Sequence, residues 1–399
     1  MTVGDLIEVT IHDVAASGGV ARHEGEVVFV PYSIAGERIR ARVTSLRKNF
    51  ILAETVEILE ASPHRVQPPC PYYGPHPTAL GATMPCGGCQ YQHIAYAEQL
   101  AIKKRQIIAT LQRIGGIAEP PVSDPIPSPQ PYGYRNKTTM QVDPRRQFIG
   151  FHAVDHRTPL DIERCLILAE PINQALTTYR AAPPPAERPY TLLLRMDSRG
   201  VVRSGSQMLE ETVAGVALEV PANGFFQVNT ALTGELVAQV RQRITAAGHR
   251  NLLDAYSGVG LFSIALAGQL DAAVGIEFDK HATVWARKNA RRLGHRHLRF
   301  FEGPVEAHIR GALELLPRDK TTLLVDPPRA GLSDAVLASV AAAALPHIIY
   351  VSCDFGTFAR DAKFLLSHGY SLVGVQPVDL FPQTSHCEIV AEFKRSAKM

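Results

Sequence analysis

The residues best suited to chemistry in this chain begin with its thiols. Cys70, Cys86 and Cys89 lie in one segment, and Cys165 follows much later. The central pair reads CGGC at 86–89, and its glycines let backbone N–H groups approach a bound centre and its sulfurs. Four thiolates suit either zinc or an iron–sulfur cluster, and His93 offers a three-cysteine, one-histidine zinc alternative. Spacing alone leaves these metals open. A dithiol redox pair at Cys86 and Cys89 lacks a thioredoxin-like unit around it.

Cys353 ends the apolar run IYVSCD at 349–354. A lone cysteine in such a strand is usually inert core. Its position at the strand end, between Ser352 and Asp354, favours partial exposure. A thiolate there is a strong nucleophile if positive charge is close, and the sequence does not name the donor of that charge. Glu388, within FPQTSHCEIV at 381–390, precedes the last apolar run. Desolvated beside a thiol it is a candidate general base; the plainer reading is an edge-strand charge. His386 shares its face, and Cys387 points the other way, into packing.

A nucleotide-binding pattern lies at 252–263, LLDAYSGVGLFS, where a buried strand meets a turn with Gly258 and Gly260. Glycine permits positive φ and close backbone approach to a ligand. Alone the turn does not separate NAD from S-adenosylmethionine. Glu277, 19 residues after Gly258, is placed to accept hydrogen bonds from ribose hydroxyls. In VDPPRAG at 325–331, Asp326 ends another apolar strand and two prolines stiffen the loop that follows.

These groups need a scaffold, and the texture of the chain divides it in three. Residues 1–59 alternate with period two (Val3–Ile11, Glu26–Val30, Ile39–Val43, Ile51–Ile58), as in a small OB-like β-barrel. Arg38, Arg40 and Arg42 share one strand face there, either a solvated face or a stripe for RNA. Residues 60–220 hold the thiols in a Pro- and Gly-rich segment. A helix at Tyr96–Arg113 follows, with Lys103, Lys104 and Arg105 facing solvent or phosphate. Residues 134–220 read as mostly strands, broken at Pro183–Pro185. Residues 221–399 alternate strands and helices, the pattern of a doubly wound α/β domain. Strands are expected at Leu252–Ala255, Ala273–Glu277, Leu298–Glu302, Thr322–Asp326, His347–Ser352, Tyr370–Asp379 and near 387–394.

Composition narrows the class. A chain of 399 residues, 46% hydrophobic and 20% charged, buries a substantial core and is not disordered. The net charge of +3 excludes a polybasic tail, so any nucleic acid is held by local patches. No apolar run spans a bilayer and no signal peptide is recognised, so a cytoplasmic protein with reduced thiols is expected.

Together these motifs resemble the uracil-5 RNA methyltransferase family, across essentially the whole chain. GGVARHEGEVVFVP at 18–31 looks like the family's TRAM domain, and CGGCQYQH at 86–93 like its iron–sulfur motif. NGFFQVN at 223–229, DAYSGVG, DPPRAG, SCD at 352–354 and FPQTSHCE follow in the family's order. The resemblance implies an N-terminal TRAM barrel, a central iron–sulfur β-rich domain and a C-terminal Rossmann-like methyltransferase domain. It implies a 4Fe–4S cluster on Cys70, Cys86, Cys89 and Cys165. S-adenosylmethionine would be contacted by Gln227, Tyr256, Glu277 and Asp326. Cys353 takes the nucleophile's place and Glu388 the base's. Leu261, Pro304 and Phe355 depart from the common pattern, as does the long insertion between Cys70 and Cys86.

The implied reaction adds a thiolate to uracil C6, methylates C5 and removes the C5 proton. The uridine must leave its stack to reach such a crevice. Arg135, Lys137, Arg145 and Arg146 are candidate phosphate contacts, as are Arg287, Lys288, Arg291, Arg292 and Arg296 if they are not simply a solvated helix face. Ribosomal RNA is favoured over transfer RNA, with a monomer as the default. The rivals are an amino-group methyltransferase, an NAD-dependent oxidoreductase and a non-enzymatic iron–sulfur RNA-binding protein.

Overall fold

Alternating burial organises the N-terminal sheet of the computed structural model, which describes residues 1–75, 84–183 and 186–396. Six strands run in the order Leu6–Thr10, Arg38–Leu46, Ile51–Glu60, Glu26–Val30, Gly18–His23 and Asp13–Ala15. Ile7, Val9, Val28, Val30, Ile39, Ala41, Val43 and Ile51 fill the inner face. The chain passes directly from the first strand of this order to the last, joining the two edges of the sheet. The basic stripe on its outer face is neutralised by neighbouring strands. Arg38 meets Glu60 at 2.8 Å and Glu8 at 3.4 Å; Arg40 meets Glu57 at 2.6 Å and Glu8 at 3.1 Å; Arg42 meets Glu54 at 3.4 Å. It is a solvated, self-paired face rather than a free cationic one.

A helix spans Tyr96–Arg113, with Gln99, Ile102, Lys103, Ile107 and Leu111 on its buried face. The expectation that Lys103 faces solvent or phosphate fails. Its ammonium is fully buried and donates to Asp379 at 2.6 Å and to the Phe381 carbonyl at 3.1 Å. Lys104 and Arg105 do lie outward, on Asp124 and Glu98.

Beyond it, a five-stranded sheet runs in the order Val202–Arg203, Tyr190–Met196, Lys137–Asp143, Phe148–His152 and Pro159–Asp161. A helix at Glu170–Ala181, which the strand-rich reading of 134–220 missed, buries Ile172, Asn173 and Leu176. Its three buried residues have helical spacing, but two threonines and a proline dilute the signal. Pro184 and Pro185 of the expected break, and residues 76–83 of the insertion between Cys70 and Cys86, lie outside the described residues. A hairpin of Met208–Val213 and Val216–Pro221 leads to the last sheet.

That sheet comprises β1 (Asn251–Ala255), β2 (Ala272–Glu277), β3 (Leu298–Glu302), β4 (Thr321–Val325), β5 (His347–Ser352), β6 (Tyr370–Val378) and β7 (Glu388–Arg395). Their order is β3-β2-β1-β4-β5-β7-β6, and β7 runs opposite to the other six strands. Every residue of β1, β4 and β5 is buried, as a parallel sheet covered on both faces requires. Helices α1 (Leu261–Ala265), α2 (Lys280–Arg292), α3 (Val305–Leu313), α4 (Asp334–Ala343) and α5 (Phe355–Ser367) follow successive strands. Two apolar clusters, one on each face of the sheet, hold these layers together.

Candidate active site

The order of the last sheet reverses between β1 and β4, and a crevice opens at such a switch point beyond the carboxyl ends of the strands. Tyr256 follows β1, Glu277 ends β2, Asp326 follows β4 and Cys353 follows β5. Because β7 is antiparallel, its first residue, Glu388, reaches the same edge. Ser352 pairs with Ile389, so the next position along β5 brings Cys353 opposite Glu388. Residues distant in sequence thus converge on one line.

On the β1–β2 side, Tyr256, Gly258 and Gly260 all have positive φ, at 68°, 54° and 88°. Glu277 fixes this turn: one carboxylate oxygen accepts the Gly258 N–H at 2.8 Å, the other the Asp279 N–H at 2.7 Å. Gly275 answers a close approach, since a Cβ there would lie 2.4 Å from the Phe300 ring and 2.8 Å from Ser257 Oγ. Asp254, not singled out from sequence although it opens DAYSGVG, is fully buried. Its Oδ2 accepts from Ser263 Oγ at 2.6 Å, and its Oδ1 has no partner among the described residues. Burial pushes Asp254 up to about 7, with Glu277 adding to the rise against the Ser263 hydrogen bonds. Burial raises Asp326 to about 7 as well, with the charges of Asp254 and Glu277 adding to it. A crevice lined by desolvated carboxyl groups favours a cationic ligand. Gln227 is buried, and its carbonyl accepts from Asn136 Nδ2 at 3.2 Å. Phe225 and Phe278, beside Gln227 and Glu277 in sequence, are each 76% exposed.

On the β5–β7 side, burial raises the Cys353 thiol to about 11. Glu388 adds to the rise, and Arg329 opposes it by charge and hydrogen bond. Glu388 is 4% exposed, and burial followed by Asp326 lifts it well above the usual carboxylate range against Arg329. Arg329 is therefore the cation that the sequence could not assign to the thiol. Its signal was present in DPPRAG, whose only basic residue it is. The helix after the thiol holds its loop. Thr357 Oγ1 donates to the Arg329 carbonyl at 3.0 Å, and Arg360 donates to the carbonyls of Ala330 and Leu332 at 3.1 and 2.9 Å. Asp361 accepts the Leu332 N–H at 2.8 Å.

The segment before Glu388 is braced from the first half of the chain. Gln99 accepts the Gln383 N–H at 3.0 Å and donates to its side-chain oxygen at 3.0 Å. The N–H groups of Gln90 and Tyr91 both donate to the Gln383 carbonyl at 3.0 Å, and Tyr134 donates to that of Pro382 at 3.0 Å. Cys387 packs, fully buried, as expected.

Cys70, Cys86, Cys89 and Cys165 line one cavity of about 330 Å³. All four thiols are raised above the ordinary cysteine value, burial first and, for Cys86, Cys89 and Cys165, the charges of other cluster cysteines also contributing. Among the described residues no group of three or more His, Cys, Asp or Glu side chains is arranged to hold a metal ion. His93 does not join the four thiols at this cavity. It is buried, bonded through Nδ1 to the Tyr73 hydroxyl at 2.5 Å, and its ring is pushed down to about 3 by burial and Arg65. Of the other basic candidates, Arg145 donates to the Glu187 carbonyl, Arg146 faces Asp143 and Arg287 donates to the Phe300 carbonyl. Lys288 lies over the Trp285 ring and Arg292 donates to the Ala217 carbonyl.

A family model described as tRNA (Uracil-5-)-methyltransferase matches residues 312–395, the span that carries Asp326, Cys353 and Glu388. An uncharacterized RNA methyltransferase of Gloeobacter violaceus is 33% identical over 98% of this chain and 97% of its own length. Another, from a Nostoc species, is 31% identical over 97% of this chain and 96% of its own. Among solved structures, the Pyrococcus abyssi tRNA (uracil-54, C5)-methyltransferase in complex with S-adenosyl-L-homocysteine superposes with a TM-score of 0.72. It is 24% identical, and the match covers 97% of this chain and 100% of that one.

Proposed function

The chain belongs to the uracil-5 RNA methyltransferase family, and from that premise we propose that it methylates C5 of a ribosomal RNA uridine through a covalent adduct between Cys353 and uracil C6. The observation that carries this reading is the meeting of Cys353, Glu388 and Arg329 at the edge that also bears Glu277 and Asp326. Bound S-adenosylmethionine supplies an electrophilic methyl group on a sulfonium sulfur. Tyr256, Glu277, Asp326 and Gln227 are the residues proposed to hold it. Their crevice fits a cation, because Asp254 is buried and Asp326 half-buried there, with no positive side chain bonded to either among the described residues.

Cys353 bonds to uracil C6, and the electron pair of the C5–C6 double bond moves into an enolate that makes C5 nucleophilic. Arg329 favours the thiolate before addition. Methylation leaves C5 with both a methyl group and a proton. Glu388 takes that proton, the double bond re-forms and the Cys353 sulfur departs. Glu388 suits this step only in its carboxylate form, and the charge of Arg329 favours that form.

The four cysteines are proposed to hold a 4Fe–4S cluster with a structural or RNA-positioning role. What supports this reading is that the four thiols line one cavity of about 330 Å³. The six-stranded N-terminal sheet is proposed to be a TRAM domain that grips flanking RNA. Transfer RNA is a second reading, favoured by the fold shared with the Pyrococcus abyssi enzyme and by the description of the family model.

The test is an adduct trap. The anaerobically purified protein is incubated with S-adenosylmethionine and RNA carrying 5-fluorouridine, which has no C5 proton to lose. The expected result is a methylated adduct that survives denaturing gels in the wild type and is missing in Cys353→Ala. Mapping the adduct names the RNA and the uridine. No adduct with refolded RNA and an intact cluster would return Cys353 to the role of a core thiol.

A further inference from the structure

We propose that Arg135 and Lys137, backed by Arg195, form a phosphate subsite for the RNA strand that presents the target uridine. The subsite rests on the uridine reading above and adds a ligand group to it. Two cations converge on one carbonyl oxygen: Lys137 Nζ donates to Gly224 O at 2.9 Å and Arg195 Nη1 donates to the same atom at 3.0 Å. A third, Arg135, lies beside them, its Nε donating to the Lys137 carbonyl at 2.9 Å. Arg195 is fully buried, and among the described residues its Nε has no partner.

Negative charge is short at this cluster. Glu211 bonds Arg195 at 3.1 Å and Ser198 at 3.2 Å. Among the described residues, neither Arg135 nor Lys137 is bonded to a carboxylate. Like charges held this close repel one another unless an anion joins them. Lys137 registers the strain: burial, then Arg195 and Arg135, push its ammonium below the usual lysine value.

The position indicates which anion. Gly224 immediately precedes the exposed Phe225 and lies three residues before Gln227. Arg135 forms a backbone bridge with Asn229, two residues after Gln227. A nucleotide turned out of its stack brings its own phosphodiester to the rim of the crevice, and phosphate contacts fix register. Phe225 offers an aromatic face to a neighbouring base. Arg135 and Lys137 also line the thiol cavity, so the competing use of their charge is to balance a bound cluster.

The experiment uses the full cluster-loaded protein and a stem–loop RNA spanning the uridine mapped by the 5-fluorouridine adduct. The linkage on each side of that uridine is replaced in turn by an uncharged methylphosphonate. Binding is measured for the wild type, Arg135→Gln, Lys137→Gln and Lys137→Arg. Neutralising the correct linkage should weaken wild-type binding roughly tenfold to a hundredfold. The same change should cost Lys137→Gln and Arg135→Gln little further affinity, and Lys137→Arg should retain most binding. Losses that multiply independently at both linkages would overturn the subsite while leaving the uridine reading intact. Variants that lose the cluster's absorbance but bind RNA like wild type would assign the pair to the thiol cavity and also overturn it. Absence of any adduct would remove the uridine reading, and the subsite with it.

Discussion

Cys353 should be a thiol, not a thiolate, in the cofactor-free protein, and Arg329 should set how far from reactive it stands. The thiol is pushed up to about 11 by burial and Glu388, with Arg329 pulling the other way. At pH 8 that leaves roughly one thiol in a thousand ionised. An opposite charge close to a titrating group moves its pKa by about 1–3. Cys353 is partly exposed, which puts Arg329 at the low end of that range. Arg329→Gln should therefore slow alkylation at pH 8 about tenfold, and Arg329→Lys should recover part of the loss. Iodoacetamide labelling between pH 7 and 10.5, quantified by mass spectrometry of the Cys353 peptide, reads the profile directly. Cys387 serves as an internal control, since burial pushes it up further and leaves it inaccessible. A wild-type midpoint near 8.5, or a profile unchanged in Arg329→Gln, would refute the reasoning. Addition of S-adenosylmethionine should shift the profile to lower pH than S-adenosylhomocysteine does, because only the former carries the sulfonium charge.

Three further outcomes are expected. Asp254 and Asp326, raised to about 7 in the fold, stay protonated where an unfolded carboxyl ionises; their stabilising contribution is complete below about pH 4 and is lost as pH rises through 7. Between pH 5 and 7 the melting temperature of Asp254→Asn should fall less with rising pH than that of the wild type, as scanning calorimetry without cofactor would show; equal slopes would count against the assignment. Lys103→Met leaves Asp379 buried without its cation and should cost about 3–5 kcal/mol in urea unfolding, while Lys103→Met with Asp379→Leu should regain most of it. Gly275→Ala forces a methyl group against Phe300 and Ser257, and should destabilise the protein by about 1–3 kcal/mol and weaken S-adenosylhomocysteine binding in calorimetry.

The doubly wound sheet was legible because its signals are local. Continuous apolar runs fixed β1 through β5 to within a residue or so, and chemistry-bearing residues follow such runs where an α/β crevice forms. Cys353 and Glu388 stood out at strand ends, but their adjacency depends on the antiparallel return of β7. Arg329 as the thiol's cation was hidden for the same reason. Its contact with Cys353 is made between two loops, and no spacing rule connects them. Lys103 misled because a lysine on an amphipathic helix is ordinarily solvated; its carboxylate partner lies 276 residues away. The solvated reading of the arginine stripe held, but its four glutamate partners come from two other strands and no local spacing names them. The helix at Glu170–Ala181 owes its place to packing on the five-stranded sheet rather than to propensity.

The brace between Tyr96–Arg113 and the segment before Glu388 also sets a schedule for synthesis. At roughly 5–20 residues per second, Lys103 leaves the ribosome about 14–55 s before Asp379. Through that interval Gln99 and Lys103 are hydrated, and the wall that Gln383 provides beside the CGGC segment does not yet exist. The first third of the nascent chain thus waits for the last twenty residues before it can close. A truncation before Gln383 would register at both ends of the polypeptide, as a missing base and as a lost brace on the segment that follows CGGC.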